Sequence, residues 1–154
     1  MKYIGIDPGV TGAIAMIDGD GLLLCLDDLP MVKMPGGTVL DIHSFVDLLE
    51  RYPKADTSWS VERQNPRPVQ GVSSAFRTGR GFGSLSAMLD LINVSWSLVN
   101  PNIWKKAMGV TQDKTSSLLQ ARRLWPQADL GRMKDHNRAE ALLIAEWARR
   151  RSKA

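Results

Sequence analysis

Three short apolar runs separated by two glycine-rich turns fill the first 27 residues, and they leave such a chain few folds to choose from. Residues 2–7, 13–18 and 22–27 are strand-like, and Pro8-Gly9-Val10-Thr11-Gly12 and Gly19-Asp20-Gly21 are rich in residues that accept turn dihedrals. The arrangement predicts an antiparallel meander. Residues 30–37 carry two prolines and two glycines and read as an irregular loop. Ile42, Phe45, Val46 and Leu49 recur at helical spacing, with Thr38 and Asp41 as candidate caps and Pro53 as the stop. A strand over Thr57–Glu62 puts Trp59 and Val61 on one face, and residues 63–70, with two prolines, form a loop. Val72–Leu91 is helical in composition, but glycines at 79, 81 and 83 predict two pieces or a bend.

Residues 94–99 read as a fifth strand, and Pro101 suits the first turn of a short helix through Lys106. Thr111 or Asp113 caps a helix to Trp125, which Pro126 stops, and a last helix spans 136–150. Strands that give way to alternating helices and strands predict an α/β fold, a mixed five-stranded sheet flanked by helices, within one domain of 154 residues.

Charge and composition narrow the function classes. Twenty basic residues against 16 acidic ones give a net charge of +4, which permits a polyanionic partner. The basic residues gather after position 62, among them Arg63, Arg67, Arg77, Arg80, Lys105, Lys106, Lys114, Arg122 and Arg123. No apolar run approaches the roughly 18 residues that span a bilayer, so no membrane partner is expected. The opening residues, MKYIGID, have no signal-peptide layout. The single cysteine, Cys25, lies in an apolar run and reads as a small hydrophobe; with no disulfide within the chain, a cytoplasmic setting is expected.

Three carboxylates stand out. Asp7 ends an apolar strand and precedes a turn whose glycines, 9 and 12, let backbone approach a phosphate or metal; the alternative is an aspartate that only starts a turn. Glu62 ends another strand, and neighbouring strands that finish together would set both acids at one rim. Glu140 shares a helical stripe with Leu143, Ile144 and Trp147, where an unpaired carboxylate is costly and needs a cation. That cation is either a metal or a salt-bridged arginine. His136 lies four residues before Glu140 on the same face, and Asp135 is either a helix N-cap or a further ligand. Oxygen and imidazole donors without thiolates suit Mg²⁺ or Mn²⁺, and two such ions about 4 Å apart can hydrolyse a phosphodiester. His43, the other histidine, has no evident nucleophile partner.

Taken together these segments resemble RuvC-type Holliday junction resolvases, of the phage or prophage branch. Gly5-Ile6-Asp7-Pro8-Gly9 resembles the first motif, Val61-Glu62 the second, and the run from Arg138 to Ala145 around Glu140 the last. Pro101 to Lys106 with Gly109, and Asp113-Lys114, look like the family's lysine segments, so the resemblance runs along nearly the whole chain. It implies an RNase H-like fold, and Asp7, Glu62 and Glu140 as ligands of two Mg²⁺ ions for which Mn²⁺ can substitute. It further implies Lys105 and Lys114 at the phosphates near the cut, with Lys106 a neighbouring candidate and Arg77 and Arg80 adding DNA contacts.

The implied reaction is paired, symmetric cutting of a four-way junction by a homodimer, leaving 5′-phosphate and 3′-hydroxyl ends, with Val72–Leu91 supplying much of the dimer interface. Two departures are visible. Asn137 stands three residues before Glu140, where cellular members have an acid or histidine, which leaves the fourth ligand between His136 and Asp135. Residues 63–70 also lack the aromatic that pries the junction open; Phe76 or Phe82 could substitute, although both read as core residues. The rival readings are a nuclease for RNA or RNA–DNA hybrids and a non-catalytic junction-binding protein. An actin-like phosphotransferase needs a far longer chain.

Overall fold

A computed structural model describes residues 1–65 and 69–154. The expected loop over 63–70 therefore falls partly outside the described residues, which do not include Pro66, Arg67 and Pro68. Strands β1 (Lys2–Asp7), β2 (Ala13–Ile17) and β3 (Leu23–Asp28) form the expected antiparallel meander, with Gly5 opposite Ala15 and Asp7 opposite Ala13. Strand β6 (Thr57–Glu62) adds to β1 in parallel and β7 (Trp96–Val99) adds to β6 in parallel, so the mixed sheet runs β3-β2-β1-β6-β7.

Between β3 and β6 the chain departs from expectation. Residues 30–37 are not irregular: β4 (Met31–Met34) and β5 (Gly37–Leu40) pair as a hairpin. Its prolines do no harm there. Pro30 precedes β4 and Pro35 sits in the turn, so neither withholds a ladder donor, while Gly36 and Gly37 take positive φ of 91° and 130°. Helix α1 (Ile42–Leu49) follows with Asp41 as its N-cap, accepting from the Ser44 amide at 3.3 Å; Thr38 belongs to β5 instead.

The helix α2 (Val72–Leu91) is continuous through all three glycines, where two pieces or a bend were expected. Glycine costs a helix about 1 kcal/mol relative to alanine. Leu85 and Leu89 are buried on it, and Phe82 and Met88 pack alongside, so tertiary contact outweighs poor local propensity. Helices α3 (Pro101–Met108), α4 (Lys114–Leu124) and α5 (His136–Ser152), with a 3-10 turn at Met133–Asp135, complete the described elements. Asn100 caps α3, Gly109 closes it in the left-handed conformation at φ 68°, and Asp113 caps α4.

The sheet separates two apolar clusters. Ile4, Ile6, Ile14, Met16, Trp59 and Val61 face α1 and α2. Tyr3, Ala13, Ala15 and Ile17 face α3, α4 and α5. Small residues dominate the second face. Gly5, Ala13, Ala15 and Ser60 meet Ala139, Ala141 and Ala145 of α5, so that helix lies almost directly on β1 and β2. A Cβ built on Gly5 would collide with the Ala141 carbonyl oxygen and stand 2.6 Å from the Ala145 amide nitrogen. Arg138 fixes the start of α5, donating to Asp28 at the end of β3 at 2.6 Å and to Asp129 at 2.7 Å.

Gly5→Ala is therefore expected to destabilise the chain by about 3 kcal/mol or more, at the upper end for overpacked cores, because backbone rather than a flexible side chain must yield. Urea unfolding of the variant against the parent measures it. A loss within about 0.5 kcal/mol, as for an ordinary surface change, would contradict the close packing described.

Candidate active site

Strand alternation decides where the acids point. On β1 the residues facing α5 are Tyr3, Gly5 and Asp7; on β6 they are Ser58, Ser60 and Glu62. The parallel register pairs Ile6 with Val61, so Asp7 and Glu62 end adjacent strands side by side on the α5 face. Helix α5, seated close by the small residues beneath it, brings Glu140 to the same point. One carboxylate oxygen from each of Asp7, Glu62 and Glu140 lies within 4.8 Å of the others. They open onto a cleft of about 410 Å³, lined also by Arg63, Lys105, Lys114 and Asn137.

Each acid is held. The Trp104 indole donates to Glu62 Oε2 at 2.7 Å, and Glu140 Oε1 accepts from Lys105 Nζ at 2.8 Å and from Ser117 Oγ at 3.2 Å. Asp7, 7% exposed, has its carboxyl pushed well above the usual range, by burial first and then by the charges of Glu62 and Glu140; Lys105 and Lys114 pull the other way without cancelling them. A buried acid driven towards its neutral form by two neighbouring acids fits a site that takes a divalent cation. Oxygen-only donors in this set match Mg²⁺ or Mn²⁺ chemistry.

The structure locates the remaining candidates. Lys105 is buried, paired with Glu140 and 5.1 Å from the Trp104 ring centroid. The salt-bridge partner of Glu140 is thus a lysine, not the arginine considered from sequence. Lys114 is exposed at the first position of α4, a cation where the helix dipole already favours an anion. Lys106 is exposed outside the cleft, and Arg77 and Arg80 are exposed on α2.

Among the described residues, neither His136 nor Asp135 joins the three acids. The His136 ring turns back onto the Met133 carbonyl, 3.2 Å from Nδ1, and its Nε2 is buried without a hydrogen-bond partner. Asp135 occupies the N-cap position of α5 but is spent on Arg132, whose amide and guanidinium it accepts at 2.7 and 2.8 Å. The cleft is reached instead by Asn137, whose amide donates to the Thr11 carbonyl and hydroxyl. Gly12 earns its place by packing: a Cβ there would strike the Asp7 carbonyl oxygen and stand 2.8 Å from Leu29 Cδ1. Phe76, read from sequence as core, is 71% exposed on α2, whereas Phe82 packs against the α1–α2 cluster.

Sequence reasoning passed over Trp104, Ser117 and Thr11. Trp104 had a signal, standing beside Lys105 and following a strand that pairs with Glu62's; one serine in a helix has none.

The sheet order, the flanking helices and acids at one strand end define the RNase H-like fold of the RuvC type. The solved structure of Thermus thermophilus RuvC in complex with a Holliday junction substrate is similar over 100% of this chain and 97% of its own, at a TM-score of 0.73 and 21% identity. A second Thermus thermophilus RuvC structure is similar over 99% of this chain and 96% of its own, at 0.63 and 23% identity. No protein-family model matches the sequence, and no curated protein matches it.

Two outcomes are expected here. Because the folded carboxyl of Asp7 is raised, the metal-free protein is favoured where Asp7 keeps its proton and loses that contribution as pH rises through the raised value. Asp7→Asn should therefore melt higher than the parent in EDTA at neutral pH, yet gain less from added Mn²⁺; thermal scans at several pH values test both halves. Trp104→Phe keeps the ring and drops the donor to Glu62, and its Mn²⁺ titration midpoint should weaken about 10- to 100-fold, as for lost outer partners of metal ligands.

Proposed function

We propose that this chain is a metal-dependent endonuclease of one domain that resolves four-way DNA junctions, acting as a homodimer. The observation that carries the reading is the meeting of Asp7, Glu62 and Glu140 at one cleft of a RuvC-type fold, with Lys105 and Lys114 beside them. A structure of similar fold is described as bound to a Holliday junction substrate, which supports branched DNA as the substrate class.

Asp7, Glu62 and Glu140 would hold Mg²⁺ or Mn²⁺, two ions per site. Bound there, such ions supply an activated water and stabilise the leaving 3′-oxygen of the phosphodiester. The chain's own groups position the DNA and the ligands. Lys114 and Arg63 at the cleft rim neutralise the approaching phosphate, while Trp104 and Ser117 fix the orientations of Glu62 and Glu140. Lys105, confined between Trp104 and Glu140, places an ammonium at the cleft floor without solvent competition. Lys106, Arg77 and Arg80 extend the basic surface for the junction arms and make binding steeply salt-dependent. His136 or Asp135 could act as a fourth ligand only after reorienting, since both side chains are turned to other partners or away from the acids.

A four-way junction presents two equivalent cut points, so a two-fold dimer with one cleft per subunit gives paired nicks with 5′-phosphate and 3′-hydroxyl ends. Among the described residues no helix is long and apolar enough to cross a membrane. The free, partly buried Cys25 accords with a cytoplasmic setting.

The test is cleavage of an immobile synthetic junction with Mg²⁺ or Mn²⁺, beside plain duplex and an RNA–DNA hybrid. The expected result is paired nicks in the junction alone, reduced in Glu140→Gln by more than the roughly 10- to 100-fold that loss of an outer partner costs. Glutamine keeps the shape and the contact to Ser117. Cleavage of the hybrid alone would replace the reading with an RNA-directed nuclease, and tight binding without cutting would make the chain a junction-binding protein.

A further inference from the structure

One stretch of the cleft wall carries no charge. The cations beside the three acids come from the end of β6 and from two helices: Arg63 follows Glu62, and Lys105 and Lys114 stand on α3 and α4. The turn between β1 and β2 brings none. Its Pro8 and Gly9 line the carboxylate cleft, and with Val10 they also line an adjoining cavity, so the turn forms a lip between the two. Residues 8–10 hold no side chain that can donate or accept a hydrogen bond. A Cβ on Gly9 would meet nothing within 4 Å, which leaves the lip bare at that point. Thr11 is polar, but its hydroxyl oxygen and carbonyl accept from Asn137 of α5.

Val10 is the unexpected member of this turn. Its apolar, β-branched side chain is 54% exposed and, among the described residues, belongs to neither apolar cluster. It lies three residues beyond Asp7, at most about 11 Å of chain. A DNA strand whose phosphate sits at the acids therefore runs its neighbouring sugar past this lip. Phosphate oxygens are drawn to the cationic side of the cleft, which turns the sugar towards the uncharged side.

We infer that Pro8 and Val10 pack against the deoxyribose next to the cleaved phosphate and reject ribose there. The inference rests on the branched-DNA nuclease reading and supplies its choice of DNA over RNA. The 2′-hydroxyl separates the two sugars, and it both donates and accepts hydrogen bonds. Pressed against Pro8 and Val10, that hydroxyl loses its water and finds no partner, a cost that a bare C2′ does not meet. A wall without hydrogen-bonding groups thus discriminates by what it withholds.

Single ribonucleotides placed in turn at each position flanking the cut of an otherwise all-DNA junction test this, with cutting rates measured in Mg²⁺. Each protein's rate on the all-DNA junction is its own reference. Ribose at one position should slow the parent about 10- to 100-fold, and at the others should change little. A 2′-fluoro nucleotide at that position keeps a substituent on C2′ but cannot donate, and it should cost less than about threefold. Val10→Thr keeps the side-chain shape and adds a hydroxyl, so its ribose penalty should shrink about tenfold. Ribose tolerated at every position overturns the inference, as when Gln64, on the β6 side of the lip, gives the hydroxyl a partner. So does a 2′-fluoro penalty as large as that of ribose, which makes bulk the cause, or an undiminished penalty in Val10→Thr. A parent that cuts no junction overturns the nuclease reading instead, and one that cuts only an RNA–DNA hybrid overturns both.

Discussion

Helix α5 lies on β1 with no side chain between the two backbones at Gly5, and Ala13, Ala15 and Ser60 keep the rest of that surface low. Much of the structure depends on this contact. A larger residue at Gly5 would lift the helix and carry Glu140 away from the strand ends, leaving Asp7 and Glu62 as an isolated pair. The alanines of α5 answer the same demand from the other side, and Arg138 locks the helix to β3 so that the first turn cannot slide. The position of a charged side chain is thus set by a row of the smallest apolar ones.

Bringing three acids together carries an electrostatic cost that the surrounding residues only partly relieve. Lys105 neutralises Glu140 directly, and the Trp104 ring shields the ammonium from water. Removing one partner of so buried a pair typically costs about 3–5 kcal/mol, so Lys105 supports the fold as well as any reaction. Asp7 is left with burial and two like charges, and its carboxyl responds by holding its proton more tightly. The fold tolerates that strain where a cation can later remove it.

The strands were legible because β1, β2 and β6 combine apolar runs with turns that only glycine and proline favour, and the acids were legible because each ends such a run or interrupts a helical stripe. The β4–β5 hairpin was hidden by Pro30 and Pro35, which fall outside the ladder and so mislead a reading by composition. Continuity of α2 was hidden for the opposite reason: its glycines weaken local propensity, while the packing of Leu85 and Leu89 that overrides them is non-local. His136 and Asn137 lie four and three residues before Glu140 on one helical face, and the sequence reading chose the imidazole, with Asp135 as its alternative. The 3-10 turn at Met133–Asp135 decides it, turning the imidazole back towards Met133 and leaving the amide at the cleft.

The two apolar clusters lie on opposite sides of the sheet, and this division gives the two ends of α2 different lifetimes. Its buried residues, Leu85 and Leu89, belong to the second half, and the first half, from Val72 through Arg80, holds exposed or half-buried side chains only. Amide protons there exchange with solvent by local opening, whereas those of β1 and α5 wait for the whole domain to unfold. The first half of α2 can therefore rearrange many times while Asp7, Glu62 and Glu140 keep their places.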